Sequence, residues 1–270
     1  DNVYNSENSF GKTYGEHRRK LELSDQQHFE IFKYAKSKKL DFIETLCSIG
    51  CLSLLKLFQP DFLKIASRDL TNIPLIDALA QTKIPMILST GMSCKDDLDD
   101  AIHSISKYHS KISILHCVSE YPTRPENVNL NTIPFLKKHY SQYKIGFSDH
   151  TVGISAPIAA VSMGAEIIEK HITINREMKG TDQKGSLGPQ GISRMLRDIR
   201  CLEMSFGKED LFIDNSVLNA KNKLERSIAS KKIIRKGQVI NKSDIHLLSP
   251  GNGFRWSQIE NVIGKKAIND

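Results

Sequence analysis

The chain has 270 residues, of which 39% are hydrophobic, and it contains no apolar run of about 18 residues. These features exclude a membrane-spanning helix and predict one large domain with a small companion. The net charge of +7 comes from basic residues that are spread along the chain rather than clustered with aromatic residues. Nucleic acid is therefore not the expected partner, and either an anionic small substrate or a solvated basic surface explains the charge.

Strand and helix patterns alternate along the chain. A first helix begins at Ser24, where Gln27 completes a capping box. Apolar or β-branched runs predict six strands at 41–44, 62–65, 85–88, 112–115, 144–147 and 166–168. Further helical patterns lie near 73–81, 95–107, 133–140, 155–163 and 191–206. This α/β alternation predicts a parallel sheet with right-handed crossovers, and polar groups just after the strands favour a TIM-type (β/α)8 barrel.

The two ends of the chain lack this alternation. A closed barrel of this type has eight strands, so with six of the eight βα units present we expect the first two strands to be missing before residue 1. The barrel domain is expected over 1–207 and a linker over 208–225. Residues 226–270 are expected to form part of a small β-rich domain, with strand-like pieces at 227–229 and 238–240.

Two histidines follow neighbouring predicted strands. His150 ends the string Gly-Phe-Ser-Asp-His at 146–150, and His171 ends Ile-Ile-Glu-Lys-His at 167–171, 21 residues later. Strand carboxyl ends carry the chemistry of a βα barrel, and two imidazoles there can share one divalent metal ion. The alternative is that each histidine is a hydrogen-bonded structural residue.

Other polar residues follow the remaining strands. Lys64 lies within the second predicted strand and is followed by Ser67, Ser89 follows the third strand, and Ser119 follows the fourth. A lysine with several hydroxyls suits a phosphorylated or carboxylated ligand. The alternative is that the serines belong to ordinary loops and that Lys64 pairs with a neighbouring carboxylate, Asp61 or Asp69.

Seven motifs, taken in this order, resemble the sialic acid synthase family. They are YGEHRR at 14–19, LKIAS at 63–67, ILSTGM at 87–92, LHC at 115–117 with YP at 121–122, GFSDH at 146–150, EKH at 169–171 and KGTD at 179–182. Two further strings, KG at 236–237 and SPGNG at 249–253, are similar to the C-terminal antifreeze-like (SAF) domain of that family. The resemblance implies a TIM barrel followed by an antifreeze-like domain.

The resemblance also implies an activity. Members of the family condense phosphoenolpyruvate with an N-acylated hexosamine such as N-acetylmannosamine, giving a nonulosonic acid and phosphate by C–O cleavage. The implied metal, Mn²⁺ or Mg²⁺, binds His150 and His171, which together with Asp182 are the implied catalytic residues. The residues that match the phosphoenolpyruvate site are Lys64, Ser67, Ser89, Ser148, Thr45 and Ser119, and those that match the sugar site are Tyr121, Asp182 and Asp69.

The expected context is a cytoplasmic, domain-exchanged homodimer without a nucleic-acid or membrane partner. A reducing compartment agrees with five cysteines that show no CxxC spacing and with the lack of a leader pattern in this sequence. Two departures from the family pattern, Ser119 for asparagine and Ser249 for arginine, leave the sugar open among N-acetylneuraminate, legionaminate and pseudaminate precursors. The glutamate and lysine that the family takes from its first two strands match no segment.

Three alternative functions stay open. A Schiff-base sugar aldolase would use Lys64 or Lys170 as its nucleophile. An enzyme that joins phosphoenolpyruvate to a phosphorylated aldose would share the barrel and the chemistry. A sugar-binding fragment without catalysis is the non-enzymatic alternative.

Overall fold

The computed structural model describes residues 2–270 and divides the chain into two compact units. The first unit extends to Phe206, and the second is Gly207–Asp270. None of the helices described between residues 2 and 270 has the length and apolar character needed to cross a bilayer.

The first unit is built on a sheet of six parallel strands. They are β1 (Ile43–Glu44), β2 (Phe62–Ile65), β3 (Met86–Ser89), β4 (Ile112–Cys117), β5 (Lys144–Asp149) and β6 (Ile167–Lys170). Each strand pairs with the next in chain order, and every pairing is parallel. The predicted α/β fold is therefore confirmed as a TIM-type half-barrel of six strands.

Helices connect and precede these strands. They are α1 (Tyr14–Leu21), α2 (Asp25–Ser37), α3 (Ile73–Ala80), α4 (Lys95–Ser106), α5 (Thr132–His139), α6 (Ser155–Ser162) and α7 (Pro189–Ser205). Helix α1 was not predicted because its sequence is mostly polar. Its signal was a second capping box, in which the Thr13 hydroxyl accepts the Glu16 N–H and the Glu16 carboxylate accepts the Thr13 N–H.

Alternate residues of each strand face opposite sides of the sheet. One set is apolar and belongs to the main core cluster, as Leu63, Met86, Ile114 and Phe147 show. The other set, which includes Lys64 on β2, faces the interior of the half-barrel and mixes polar residues such as Ser89, Ser148 and Glu169 with apolar ones such as Ile87 and Leu115. The sheet thus packs against its helices on one side and carries its polar strand residues, among them Lys64, Ser148 and Glu169, on the other.

The second unit is small. It contains the short helix α8 (Leu218–Leu224) and an antiparallel pair, β7 (Ser227–Ser230) with β8 (Ile245–Leu248). Strand β7 lies where a strand was predicted, whereas the piece expected at 238–240 makes only an isolated bridge from Val239 to Lys266. Strand β8 and helix α8, which lies within the expected linker, were not predicted.

Candidate functional site

The two predicted histidines meet beyond the ends of β5 and β6. The register pairs Asp149 with Lys170, so His150 and His171 follow aligned positions on neighbouring strands. Their ring centroids are 5.3 Å apart, with an angle of 74° between the rings. For nitrogen–metal bonds of about 2.1 Å, two imidazoles that share one ion at roughly a right angle hold their centroids about 5 Å apart. The observed spacing therefore fits a shared ion.

The surroundings of the two rings also suit metal binding. Nδ1 of His150 donates a hydrogen bond to the Val118 carbonyl at 2.8 Å, which leaves its Nε2 lone pair free. Nδ1 of His171 lies 3.7 Å from Oδ2 of Asp182. Burial lowers the pKa of His171, the Asp182 carboxylate opposes that shift, and His150 adds to it. The net lowered pKa favours the neutral imidazole, which is the form that coordinates a metal.

Both histidines line a cavity of about 230 Å³. Its lining residues are Tyr121, Pro122, Asp149, His150, His171, Thr181, Asp182, Lys184 and Gly185. The Tyr121 ring centroid lies 4.1 Å from that of His150 and 5.9 Å from that of His171. Burial raises the pKa of Tyr121, so its hydroxyl is a proton donor. One cavity thus collects both predicted metal ligands and two of the three predicted sugar contacts.

The donor set in this cavity is incomplete as a closed metal site. Within residues 2–270 there is no group of three or more His, Cys, Asp or Glu side chains that could hold an ion. Two imidazoles would leave several coordination positions for water and substrate oxygens. That arrangement fits an ion that works as a Lewis acid rather than one that stabilises the fold.

A second cluster lies inside the half-barrel. Nζ of Lys64 lies 3.5 Å from Oε1 of Glu169, and the Ser148 hydroxyl donates a 2.6 Å hydrogen bond to that oxygen. The alternative pairing of Lys64 with Asp61 or Asp69 is wrong. Asp61 binds the Lys36 ammonium and Asp69 accepts a hydrogen bond from Arg68, as two separate contacts show.

The predicted serines of the loops after β2 and β4, Ser67 and Ser119, lie beside Gly91, two residues after the third serine, Ser89. The Gly91 N–H donates to the Ser67 hydroxyl at 3.0 Å. A Cβ added at Gly91 would meet Ser119 Oγ at 2.5 Å and Cys117 Sγ at 2.8 Å, so a larger residue there would displace these side chains. The buried hydroxyls of Ser89 and Ser119 have no hydrogen-bond partner within residues 2–270. Buried polar atoms normally have partners, so these two hydroxyls are candidates for hydrogen bonds to a ligand.

Two predicted residues lie outside both groups. Thr45 lines a different cavity of about 410 Å³ beside His28 and Glu44. Asp69 accepts a 3.3 Å hydrogen bond from Nε of Arg68. Neither Thr45 nor Asp69 lines the two-histidine cavity. The predicted site is thus two neighbouring clusters without these two residues.

Sequence reasoning gave no role to Glu169 or Lys184. Glu169 belongs to the quoted EKH string, and its signal was a carboxylate inside an apolar strand, two residues before His171. Lys184 lies in the loop after Asp182, where no regular pattern distinguishes one lysine from another. Lys170 lies on the opposite face of β6 from Glu169, where its ammonium lies 2.5 Å from Asp149 Oδ2.

Comparisons with known proteins identify the family of this chain. The NeuB family profile matches residues 1–210 and the SAF domain profile matches residues 225–270, so the chain belongs to the NeuB family. The motif resemblance is confirmed at this level.

Three relatives illustrate the match. The chain is 31% identical to the N-acetylneuraminate-9-phosphate synthase of Homo sapiens, over 98% of this chain and 74% of that protein. It is 33% identical to the N,N'-diacetyllegionaminic acid synthase of Legionella pneumophila, over 91% of this chain and 70% of that protein. A crystal structure of the N-acetylneuraminic acid synthetase of Leptospira borgpetersenii in complex with citrate is 31% identical, with a TM-score of 0.71 over 78% of this chain and 74% of that one. These relatives support a synthase-type enzyme.

Proposed function

We propose that the chain condenses phosphoenolpyruvate with N-acetylmannosamine or a related N-acylated hexosamine to give a nonulosonic acid and phosphate. One observation carries the proposal, namely that the cluster of Lys64 and serines inside the half-barrel, the interior cluster, adjoins the two-histidine cavity. Cys117 lies between them, since its sulfur is 3.9 Å from Nδ1 of His150 and 2.8 Å from the position of a Cβ on Gly91. The names of the relatives, which are sialic and legionaminic acid synthases, support the same reaction.

The interior cluster suits the enol phosphate. Phosphoenolpyruvate carries a phosphate and a carboxylate, and Lys64 supplies a charged donor for these groups. Ser67, Ser148 and the unpartnered Ser89 and Ser119 supply hydroxyls. Charge-assisted hydrogen bonds of this kind are stronger than neutral ones, so this is where we place the phosphate and carboxylate.

The two-histidine cavity suits the sugar. His150 and His171 would hold Mn²⁺ or Mg²⁺, and the bound ion would supply Lewis-acid polarisation of the sugar aldehyde. The protonated hydroxyl of Tyr121 can donate to a sugar oxygen, and the carboxylate of Asp182 can accept from a sugar hydroxyl. These residues orient the aldehyde toward the interior cluster.

The proposed bond changes follow from the two substrates. The C3 carbon of phosphoenolpyruvate forms a C–C bond with the aldehyde carbon, and water adds at C2. The bond between C2 and the phosphate oxygen then breaks, which releases inorganic phosphate and leaves a ketone at C2.

The aldolase alternative is weakened by the position of one lysine. The Lys170 side chain is 3% exposed, and its ammonium binds Asp149 and the Thr151 carbonyl on the helix-facing side of the sheet. Lys170 is thus held in an ion pair and does not itself line the two-histidine cavity, although its partner Asp149 does. Lys64 is the one predicted nucleophile of that alternative that faces the interior.

The biological setting belongs to the same proposal. We expect a cytoplasmic enzyme that forms a domain-exchanged homodimer, with residues 226–270 as the exchanged antifreeze-like domain. Size-exclusion chromatography with light scattering tests the dimer.

The reaction is tested by phosphate release. The chain is mixed with phosphoenolpyruvate, Mn²⁺ or Mg²⁺ and either N-acetylmannosamine or a diacetamido hexose, and phosphate is measured. We expect release only when both an amino sugar and a metal ion are present, and none after chelation. Activity that survives chelation, together with borohydride trapping of a pyruvate adduct, would instead identify an aldolase. Release with a phosphorylated aldose alone would redefine the acceptor.

A further inference from the structure

Glu169 contacts two residues of the proposed phosphoenolpyruvate subsite, Lys64 and Ser148. It lies on β6, and one of its oxygens, Oε1, makes both polar contacts of the side chain within residues 2–270. These contacts are the 2.6 Å hydrogen bond from Ser148 on β5 and the 3.5 Å ion pair with Lys64 on β2. Glu169 thus connects three strands through the interior of the half-barrel.

The two groups that Glu169 contacts need an anchor for different reasons. The Lys64 side chain is 8% exposed, and its only other polar contact in the described chain is the Ile65 carbonyl at 3.2 Å. A buried ammonium is costly without a paired charge, and a flexible four-carbon side chain is poorly oriented without one. The Ser148 hydroxyl rotates freely unless a strong acceptor fixes it.

We propose that Glu169 is a positioning residue that holds Lys64 and Ser148 in place for the anionic groups of phosphoenolpyruvate. The inference rests on the proposed function. It assigns no reaction step to Glu169, because the role is to orient two donors before the substrate arrives. Preorganised donors bind a ligand more tightly because less ordering is left to do on binding.

Glu169 also has an effect that opposes substrate binding. A carboxylate beside Lys64 repels an incoming phosphate or carboxylate, so Glu169 could act instead as a resident competitor for the lysine. Its side chain is 41% exposed, which leaves room for it to move away. Positioning predicts weaker substrate binding when Glu169 is removed, whereas competition predicts tighter binding.

Direct binding of phosphoenolpyruvate separates these two effects. The dissociation constant is measured by calorimetry for the whole chain without sugar, in the wild type, Glu169→Gln and Glu169→Ala. Glutamine keeps an acceptor for Ser148 and loses the charge, so we expect binding to weaken about tenfold, and about thirtyfold or more with alanine. Glu166→Gln is the matched control, because Glu166 pairs with Lys137 at 3.5 Å in an exposed contact, and binding should not change.

Steady-state kinetics provide the second readout. Glu169→Gln should raise the KM for phosphoenolpyruvate in proportion to the dissociation constant, while the KM for the amino sugar and kcat stay within about twofold. Circular dichroism and thermal melting confirm that each variant is folded. Should Glu169→Ala not fold, the isosteric glutamine variant decides the question.

Each outcome has a distinct meaning. Unchanged or tighter phosphoenolpyruvate binding in folded Glu169→Gln, with normal binding by the wild type, overturns the positioning role and leaves the proposed reaction standing. A wild-type chain that binds no phosphoenolpyruvate overturns the proposed substrate, and the inference falls with it.

Discussion

The two faces of the β5–β6 strand pair carry similar residues in opposite circumstances. The register pairs Ser148 with Glu169 and Asp149 with Lys170. Because successive residues of a strand point to opposite sides, the first pair faces the interior and the second faces the helices. A carboxylate thus meets a lysine on each face. Glu169 meets Lys64 on the interior face, and Asp149 meets Lys170 on the helix-facing side.

The two faces differ in how completely their polar groups are satisfied. On the helix side, Asp149 receives the Lys170 ammonium on Oδ2 and the Thr151 N–H at 2.8 Å on Oδ1, and the two side chains are 0% and 3% exposed. On the interior side, Glu169 is partly exposed, and the hydroxyl of Ser89 has no partner within residues 2–270. A closed network stabilises a fold, whereas an open one is suited to a ligand.

The largest expected effect comes from His171, the proposed metal ligand that follows β6. His171→Ala should reduce turnover by on the order of 10²–10³ or more. The reason is that the proposed metal ion, which would stabilise developing charge, loses one of its two histidine ligands. Thermal melting should change little, because the side chain projects into a cavity. Phosphate release measures the turnover, and calorimetric titration with Mn²⁺ measures the loss of metal affinity.

His103→Ala is the matched control for this prediction. His103 is an exposed residue of α4, remote in sequence from both histidine strings, and its removal should leave turnover and Mn²⁺ affinity unchanged. Near-normal turnover in folded His171→Ala would remove the metal hypothesis.

The closed face should respond in stability. Asp149→Asn leaves the Lys170 ammonium almost fully buried without an anion, and we expect the free energy of unfolding to fall by about 3–5 kcal/mol. Urea unfolding of the whole chain measures this loss. The change would separate the two faces, because the equivalent interior substitution, Glu169→Gln, removes a carboxylate that is 41% exposed and should therefore cost less stability than Asp149→Asn, whose carboxylate is 0% exposed.

The double variant Asp149→Asn/Lys170→Met sharpens the same comparison. Removing both charges should recover much of the lost stability, since the cost of the single variant is an unpaired buried charge rather than a lost attraction. If the double variant is as unstable as the single one, the ion pair is not the cause.

The sequence predicted the strands better than the contacts between them. All six strands of the sheet were predicted because runs such as 62–65 and 112–115 are apolar and bounded by turn signals. Helix α1 was missed because a polar helix with one capping box gives no apolar period. Strand β8 was missed because four residues after a 3₁₀ turn give too short a pattern.

The site was predictable in its positions and not in its pairings. The histidines could be predicted because strand ends in a βα barrel converge, whatever the details of packing. Alternate residues of a strand face opposite sides of the sheet, so the sequence alone did not decide whether Lys64 or Lys170 faces the interior. The ion pair of Lys64 with Glu169 joins two residues that are 105 positions apart in the sequence. No local pattern encodes a contact of that separation.

The smallest expected effect tests whether Ser89, on the interior face of the sheet, binds a ligand. The unpartnered, buried Ser89 hydroxyl is a cost to the free protein, so Ser89→Ala should leave the free energy of unfolding unchanged or raise it by up to about 1 kcal/mol. The same change should weaken phosphoenolpyruvate binding about tenfold, because a hydrogen bond to a charged group is lost. Ser104→Ala is the contrasting control, since that buried serine has a partner in Asp77 at 3.5 Å and lies on α4, so it should lose stability and keep its affinity. If Ser89→Ala lowers stability and leaves phosphoenolpyruvate binding intact, the hydroxyl belongs to the fold, and the contrast between the two faces does not extend to Ser89.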